Sequence, residues 1–300
     1  MSLHVPHAIV HVMEWGDLKM VLAVVRAGTL AGASETLGVN YTTVARRISR
    51  IETALGERLF DRLPYGYHPT DACQIVADHA ARMEVEQNAL LRSLQGQDQS
   101  LTGPLVITAP QLLIGPHISP VLDRFTQMHP DVSLHLRASN ELLDLSKRQA
   151  DLAIRISRTP GDSLMGVRLC EQHTASFAAP EVADRIANDP QAPIDWIVYE
   201  QAPTVPKGVP DAYPKSRVRL VFDDMAAMIG AAQAGLGVLR TPMFLGRATV
   251  GLVQVPVLPP QSYADIWVVA HRDLWHAAKV KAFRQELVQG FKANRACFVA

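Results

Sequence analysis

Apolar residues early in the chain repeat with helical spacing. Leu18, Val21, Leu22 and Val25 step by 3, 1 and 3, which marks one face of a helix that Gly28-Thr29 ends. A short helix follows with Leu30, Ala33 and Leu37 on one side. Gly38 stands where a left-handed C-cap is expected. Asn40 is placed to cap a third helix, in which Val44, Ile48, Ile51 and Leu55 step by 4, 3 and 4. The opposite side of that helix carries Tyr41, Thr42, Thr43, Arg46, Arg47 and Arg50. Leu63-Pro64-Tyr65-Gly66-Tyr67-His68-Pro69-Thr70 reads as a short hairpin or wing. A long helix is then predicted over 72–94, capped by Thr70 or Asp71. Along it Val76, Ala80, Met83, Gln87, Leu90 and Leu94 step by 4, 3, 4, 3 and 4, a heptad seam with one polar member. Such a seam serves either to pair two copies of the chain or to lay the helix on its own domain, because a lone helix is marginally stable. The polar stretch QGQDQSLTG at 95–103 reads as a linker.

The pattern then changes period. A β-rich run at 105–109 leads to a helical stretch over 110–128 with Ile118, Val121, Leu122 and Phe125 on its apolar face. An alternating strand at 132–137, a short helix at 142–149 and a strand at 151–155 complete a β-α-β-α-β order. That order implies a parallel sheet with crossover helices. Further on, a helix is predicted over 224–235, strands at Val238-Leu239, 252–255 and 266–270, and a closing helix over 277–292. The predicted fold is α/β with an all-α N-terminal part. Its segments are an extension at 1–14, a helical domain at 15–71, a linker helix at 72–95, a linker at 96–103 and a two-lobed domain at 104–300. Lobe I takes 104–162 and 268–300, and lobe II takes 163–267, with crossovers near 160–166 and 262–270.

Composition narrows the class without naming it. With 300 residues, 48% hydrophobic and 19% charged, the chain is an ordinary globular protein of about two domains. Lys+Arg and Asp+Glu are both 29, so net charge argues neither for nor against nucleic acid. Cys73, Cys170 and Cys297 form no C-x-x-C pair and read as reduced thiols in a cytoplasmic protein. No stretch reaches the apolar length of a membrane helix, and residues 1–14 lack the basic flank of a secretory signal. That segment reads as a disordered extension or as the result of a start placed before Met13. Its His4, His7 and His11 lack partners at metal-ligand spacing, so no metal is expected. No G-x-S-x-G, P-loop or H-E-x-x-H occurs, and Gly235-x-Gly237 lacks a third glycine. His173 and His271 have no evident nucleophile partner, so neither an enzyme nor a cofactor is expected.

The helix beginning at Tyr41 carries chemistry of its own. Two short helices joined by a glycine turn, the second with a polar, cationic outer face, form a helix-turn-helix pattern. Such a helix fits the major groove, where short hydroxyls permit close approach and Arg pairs with guanine. Between residues 41 and 62, Arg46, Arg47, Arg50, Arg58 and Arg62 face Glu52, Glu57 and Asp61, a local excess of two positive charges. A plain helical bundle with a solvated Arg face accounts for the same pattern.

From about Trp15 to Lys292 the chain resembles the LysR-type transcriptional regulators. The resemblance is most specific in Gly28-Thr29-Leu30, Leu37-Gly38-Val39-Asn40, Val44-Ala45-Arg46-Arg47-Ile48, Ile51-Glu52, Leu55-Gly56 and Leu59-Phe60-Asp61-Arg62. Leu105-Val106-Ile107, His129-Pro130-Asp131-Val132, Asp151-Leu152-Ala153-Ile154-Arg155 and Gly235-Leu236-Gly237-Val238 continue it. Ser34 replaces the usual second alanine of the second helix, and the wing is short with a Tyr-Gly-Tyr tip. The resemblance implies a winged helix-turn-helix, a linker helix that pairs subunits and a two-lobed effector domain resembling periplasmic binding proteins. It also implies a homodimer or homotetramer on double-stranded promoter DNA, with RNA polymerase as a further partner and a small-molecule effector in the inter-lobe cleft.

By position, Thr42, Thr43 and Arg46 match the family's base-reading residues, with Tyr41 and Arg47 beside them. Arg50 is expected on phosphate, or paired with Glu52 or Glu57. Val76, Ala80, Met83, Leu90 and Leu94 are the expected dimerisation residues. Ligands of open α/β sheets sit at strand ends. Here those ends offer Ala109, Pro110, Gln111, Ser139, Asn140, Ser157, Tyr199 and Thr241. A helix N-terminus near Pro110 suits a carboxylate, whereas Gln111 suits an uncharged polar ligand. The alternative function is a cytoplasmic small-molecule-binding module without promoter control.

Overall fold

The computed structural model describes residues 13–63, 66–139, 145, 149–159, 161, 164–189, 191–209 and 213–300. It divides into two compact units, Met1–Arg92 and Ser93–Ala300. The N-terminal extension, the wing tip at 64–65, Asn140 and most of the helix predicted over 142–149 lie outside the described residues.

The first unit opens with α1 (Trp15–Ala27), α2 (Leu30–Leu37) and α3 (Tyr41–Leu55). Each start is fixed by a side chain. Glu14 and Asp17 form a reciprocal capping box on α1, the Thr29 hydroxyl accepts from Gly32 N–H, and the Asn40 amide oxygen accepts from Thr42 N–H. Gly38 closes α2 in the left-handed region at φ 64°, so the chain turns at once into α3. Val21, Val24, Leu30, Ala33, Val44, Ile48 and Ile51 are buried together. All but Val24 are positions that the helical spacing marked, and the marked Val25, Leu37 and Leu55 pack against this core only partly buried. Strands β1 (Phe60–Leu63) and β2 (Gly66–Pro69) pair antiparallel from Phe60↔Pro69 to Leu63↔Gly66. Tyr67 N–H donates to Gly28 C=O at 2.9 Å and lays this hairpin on the turn between α1 and α2.

Helix α4 (Asp71–Gly96) settles on α1 through Cys73, Ala77 and Ala80, which are buried. Glu84 pairs with Arg26 at 2.7 Å, and Gln87 Oε1 accepts from Trp15 Nε1–H at 2.9 Å. The inner face therefore runs through 73, 77, 80, 84 and 87. Of the predicted seam it shares Ala80 and Gln87, with Val76 at its edge. Ala80 is a correction to the expected dimerisation set: it lies 0% exposed beside Leu22 and Ala77. Its small side chain lets α1 approach. Val76 is half-buried against the first unit's core. Met83, Leu90 and Leu94 remain exposed at 44%, 60% and 58%.

The second unit has two sheets. The first has the order β4-β3-β5-β13-β6, built from β3 (Gly103–Ala109), β4 (Val132–Ala138), β5 (Leu152–Ser157), β6 (Leu164–Cys170) and β13 (Asp265–His271). Strands β3, β4 and β5 pair parallel, as the alternating order implied. The second sheet contains β7 (His173–Ala178), β8 (Asp195–Tyr199), β9 (Arg217–Phe222), β10 (Val238–Pro242) and β11 (Val253–Val255) in the order β11-β7-β10-β8-β9. Strand β12 (Gln261–Ser262) pairs with β7. The chain crosses between lobes at residues 171–172 and 263–264. The predicted boundaries at 163 and 268 are thus corrected, because β6 pairs antiparallel with β13, about a hundred residues downstream. A pairing so distant leaves no local periodic signal.

Helices cover both sheets: α5 (Gln111–Leu113), α6 (Ser119–Met128), α7 (Pro180–Asn188), α8 (Met225–Gln233), α9 (Met243–Ala248) and α10 (Ala278–Ala293). The continuous helix expected over 110–128 is broken by a π-helical turn over Ile114–Ile118. Pro116 lacks an N–H and its ring excludes the regular turn, so Ser119 N–H reaches Ile114 C=O instead. Gly246 on α9 packs closely against the Phe177 ring, and a Cβ there would overlap that ring. Gly246→Ala is expected to cost about 1–3 kcal/mol through overpacking, read as a lower thermal midpoint with Gly230→Ala, which meets open space, as the control.

Candidate DNA-reading face and ligand cleft

Helix α3 turns Val44, Ile48 and Ile51 inward, which leaves Tyr41, Thr42, Arg46 and Arg50 exposed with Thr43 and Arg47 at the flanks. The Thr42 hydroxyl donates to Asn40 Oδ1 at 2.9 Å, so the cap also orients the first turn of the outward face. Arg50 and the flanking Arg47 both meet Asp17 of α1, which is 2% exposed. Arg50 Nη2 donates to Asp17 Oδ1 at 2.6 Å, and Arg47 Nη1 lies 3.9 Å from the same oxygen. Arg50 was expected on phosphate or on Glu52 or Glu57; its carboxylate partner is Asp17 rather than either glutamate. Glu52 is engaged elsewhere: its Oε1 accepts from the backbone N–H groups of Leu59 and Phe60. The sequence separation of 33 between Asp17 and Arg50 explains why spacing did not reveal the pair. Arg50→Met leaves the buried carboxylate with the Glu14 N–H and the more distant Arg47 guanidinium. It is expected to cost about 1–3 kcal/mol in urea unfolding, the range for a lost charge-assisted hydrogen bond.

Between the two lobes lies a cavity of about 880 Å³. Strand ends from both sheets line it, as open α/β sheets predict. Of the expected cleft residues, Pro110, Ser139 and Tyr199 stand on its wall. Ala109 and Thr241 are fully buried beside it, and the Thr241 hydroxyl lies 3.6 Å from Met225 Sδ. The Ser157 hydroxyl turns away to donate to Thr159 C=O at 2.6 Å, and Gln111 is exposed outside the lining. These four are corrections; Gln111 opens helix α5 with its side chain outward, and for Ala109, Ser157 and Thr241 the cause is strand alternation. Neighbours on one strand face opposite ways, so a position at a strand end does not fix which side chain meets the cleft. The wall also holds residues that strand-end reasoning missed: Arg155 on β5, Arg240 on β10, Lys207, Thr108, Met225, Met228 and Phe244. A single Arg directly following apolar residues inside a strand, as in Leu152–Ser157 and Val238–Pro242, was the available signal.

Residues 98–292 match the family model for the LysR substrate binding domain. Residues 15–74 match that for bacterial regulatory helix-turn-helix proteins of the lysR family. The chain belongs to the LysR family of transcriptional regulators. It is 34% identical over 175 residues to an HTH-type transcriptional regulator of Xanthomonas campestris, covering 57% of this chain and 50% of that one. It is 26% identical to the Mau operon transcriptional activator of Paracoccus denitrificans, over 87% of this chain and 91% of that one. Among solved structures it resembles the full-length virulence activator AphB of Vibrio cholerae, with a TM-score of 0.58, 21% identity and coverage of 92% and 99%. It also resembles CrgA of Neisseria meningitidis, with a TM-score of 0.54, 18% identity and coverage of 93% and 99%.

In this LysR regulator, the winged helix-turn-helix and the two-lobed substrate-binding fold are both present. LysR regulators bind promoter DNA, oligomerise and take small-molecule effectors. Its relatives are transcriptional regulators, in keeping with the absence of an enzyme motif from the sequence. Among the described residues no helix is long and apolar enough to cross a membrane, and no group of three His, Cys, Asp or Glu side chains could hold a metal.

Proposed function

We propose that this LysR regulator reads a promoter through Thr42, Thr43 and Arg46, with Tyr41 and Arg47 beside them, and that a small molecule in the inter-lobe cavity sets its output. The observation that carries this reading is the outward polar face of α3, held by a capped turn and joined through α4 to a domain with a cavity. The exposed stripe of Met83, Leu90 and Leu94, with half-buried Val76 at one end, supports pairing of two copies along α4. A pair presents two copies of α3 to the half-sites of a dyad. The site of action is the cytoplasm, where promoter DNA and RNA polymerase are found. Selection from genomic DNA, followed by anisotropy on the recovered fragment across a salt series, tests the reading. Recovery of one interrupted dyad supports it. Binding that is uniform over all fragments would leave a cytoplasmic small-molecule-binding module as the function.

A further inference from the structure

We propose that the cavity takes an organic acid, with one carboxylate on Arg240 and an apolar body against Met225, Met228 and Phe244. This rests on the reading of the cavity as the effector site. The cavity wall holds three cationic residues, Arg155, Lys207 and Arg240, and among the described lining residues there is no Asp or Glu. Arg240 is held in place by neutral acceptors only. Its Nε–H donates to the Thr174 hydroxyl at 3.1 Å, and its Nη2 donates to Thr174 C=O at 3.3 Å and Pro259 C=O at 3.2 Å. Its Nη1 is buried and has no hydrogen-bond partner. Burial also pushes the Arg240 guanidinium below its usual range, the sign of a desolvated cation.

From the opposite lobe, Thr108 lines the same cavity at 3% exposure, and its hydroxyl likewise has no partner. Buried polar groups are normally satisfied, and a buried cation calls for a counter-charge. Two orphan groups, one from each lobe at the edge of the same cavity, therefore define what an entering ligand brings once these side chains turn to meet it. One is an anionic oxygen for Arg240 Nη1, and the other is a polar atom for the Thr108 hydroxyl. The rest of the wall is largely apolar, with Leu112 and Ile197 adding to the side chains named above, and 880 Å³ far exceeds an inorganic anion. A small inorganic ion would leave most of that apolar wall uncovered. A neutral molecule would leave the guanidinium unpaired.

The test titrates full-length protein with 4-phenylbutyrate, its neutral amide and inorganic phosphate, by calorimetry. The acid is expected to bind about 10–100-fold tighter than the amide, as a charge-assisted hydrogen bond provides. Arg240→Met is expected to erase that difference, and the milder Thr108→Val to weaken both compounds. Ala202→Trp, at an exposed position on the cavity wall, is expected to block both compounds. If acid and amide bind alike and Ala202→Trp blocks both, the cavity is the effector site and the acid class is wrong. Phosphate binding as tightly as the acid would overturn the apolar body. Absence of acid binding, or acid binding untouched by Ala202→Trp, would overturn the proposal.

Discussion

Arg46→Ala is expected to lose about 1–3 kcal/mol of operator affinity, roughly 10–100-fold, with no change in melting temperature. Arg46 sits on the exposed crest of α3, away from buried Val44, Ile48 and Ile51 and from the Asp17 contacts that hold Arg50 and Arg47. Its truncation is therefore expected to remove a DNA contact and little packing. Two readouts separate the roles open to it. If Arg46 reads a base, the loss is largest on the true operator and small on random DNA. If it touches only phosphate, affinity falls evenly over all sequences and the salt slope drops by about 1. Equal affinity of variant and wild type for the operator would remove Arg46 from the reading face. Arg50→Met should behave in the opposite way, lowering stability first, because its guanidinium is the partner of a buried carboxylate.

The joint substitution Met83→Glu and Leu90→Glu is expected to convert dimers into monomers in light scattering, with the helical content of the chain unchanged. Both side chains are exposed on the flank of α4 beside the face that packs on α1, seven residues and thus two turns apart. In a pair they would meet their counterparts, and four buried carboxylates would then have no cationic partner. Neither position contributes to the first unit's core, so the fold should tolerate both changes. Val85→Glu is the control, since Val85 is 56% exposed but lies on another side of the helix. Operator binding should fall with the dimer, because each half-site then binds alone and the gain from a tethered second site is lost. An unchanged mass would assign pairing to a different surface.

Much of this fold was legible in local patterns. The helical spacing of Val44, Ile48 and Ile51, the caps at Thr29 and Asn40 and the turn at Gly38 determined the helix-turn-helix, because each rests on contacts within about four residues. The β-α-β-α-β order determined the parallel strands of the first lobe, because the crossover rule constrains neighbours in sequence. The same residues placed the outward face of α3. Only the tertiary structure decided what required distant partners. Asp17 claimed Arg50 across 33 residues. Helix α1 took Ala80 and Gln87 out of the predicted seam and left Met83, Leu90 and Leu94 as its exposed remainder. Strand β13 drew β6 into the first lobe and moved the crossovers. In the cleft, the sequence indicated the strand ends, and sheet pairing chose which side chains point inward. It is this choice that set Arg240 and Thr108, rather than Thr241 and Ser157, on the cavity wall. Periodicity records which face of an element is apolar, and long-range packing selects what that face, and the polar groups beside it, will meet.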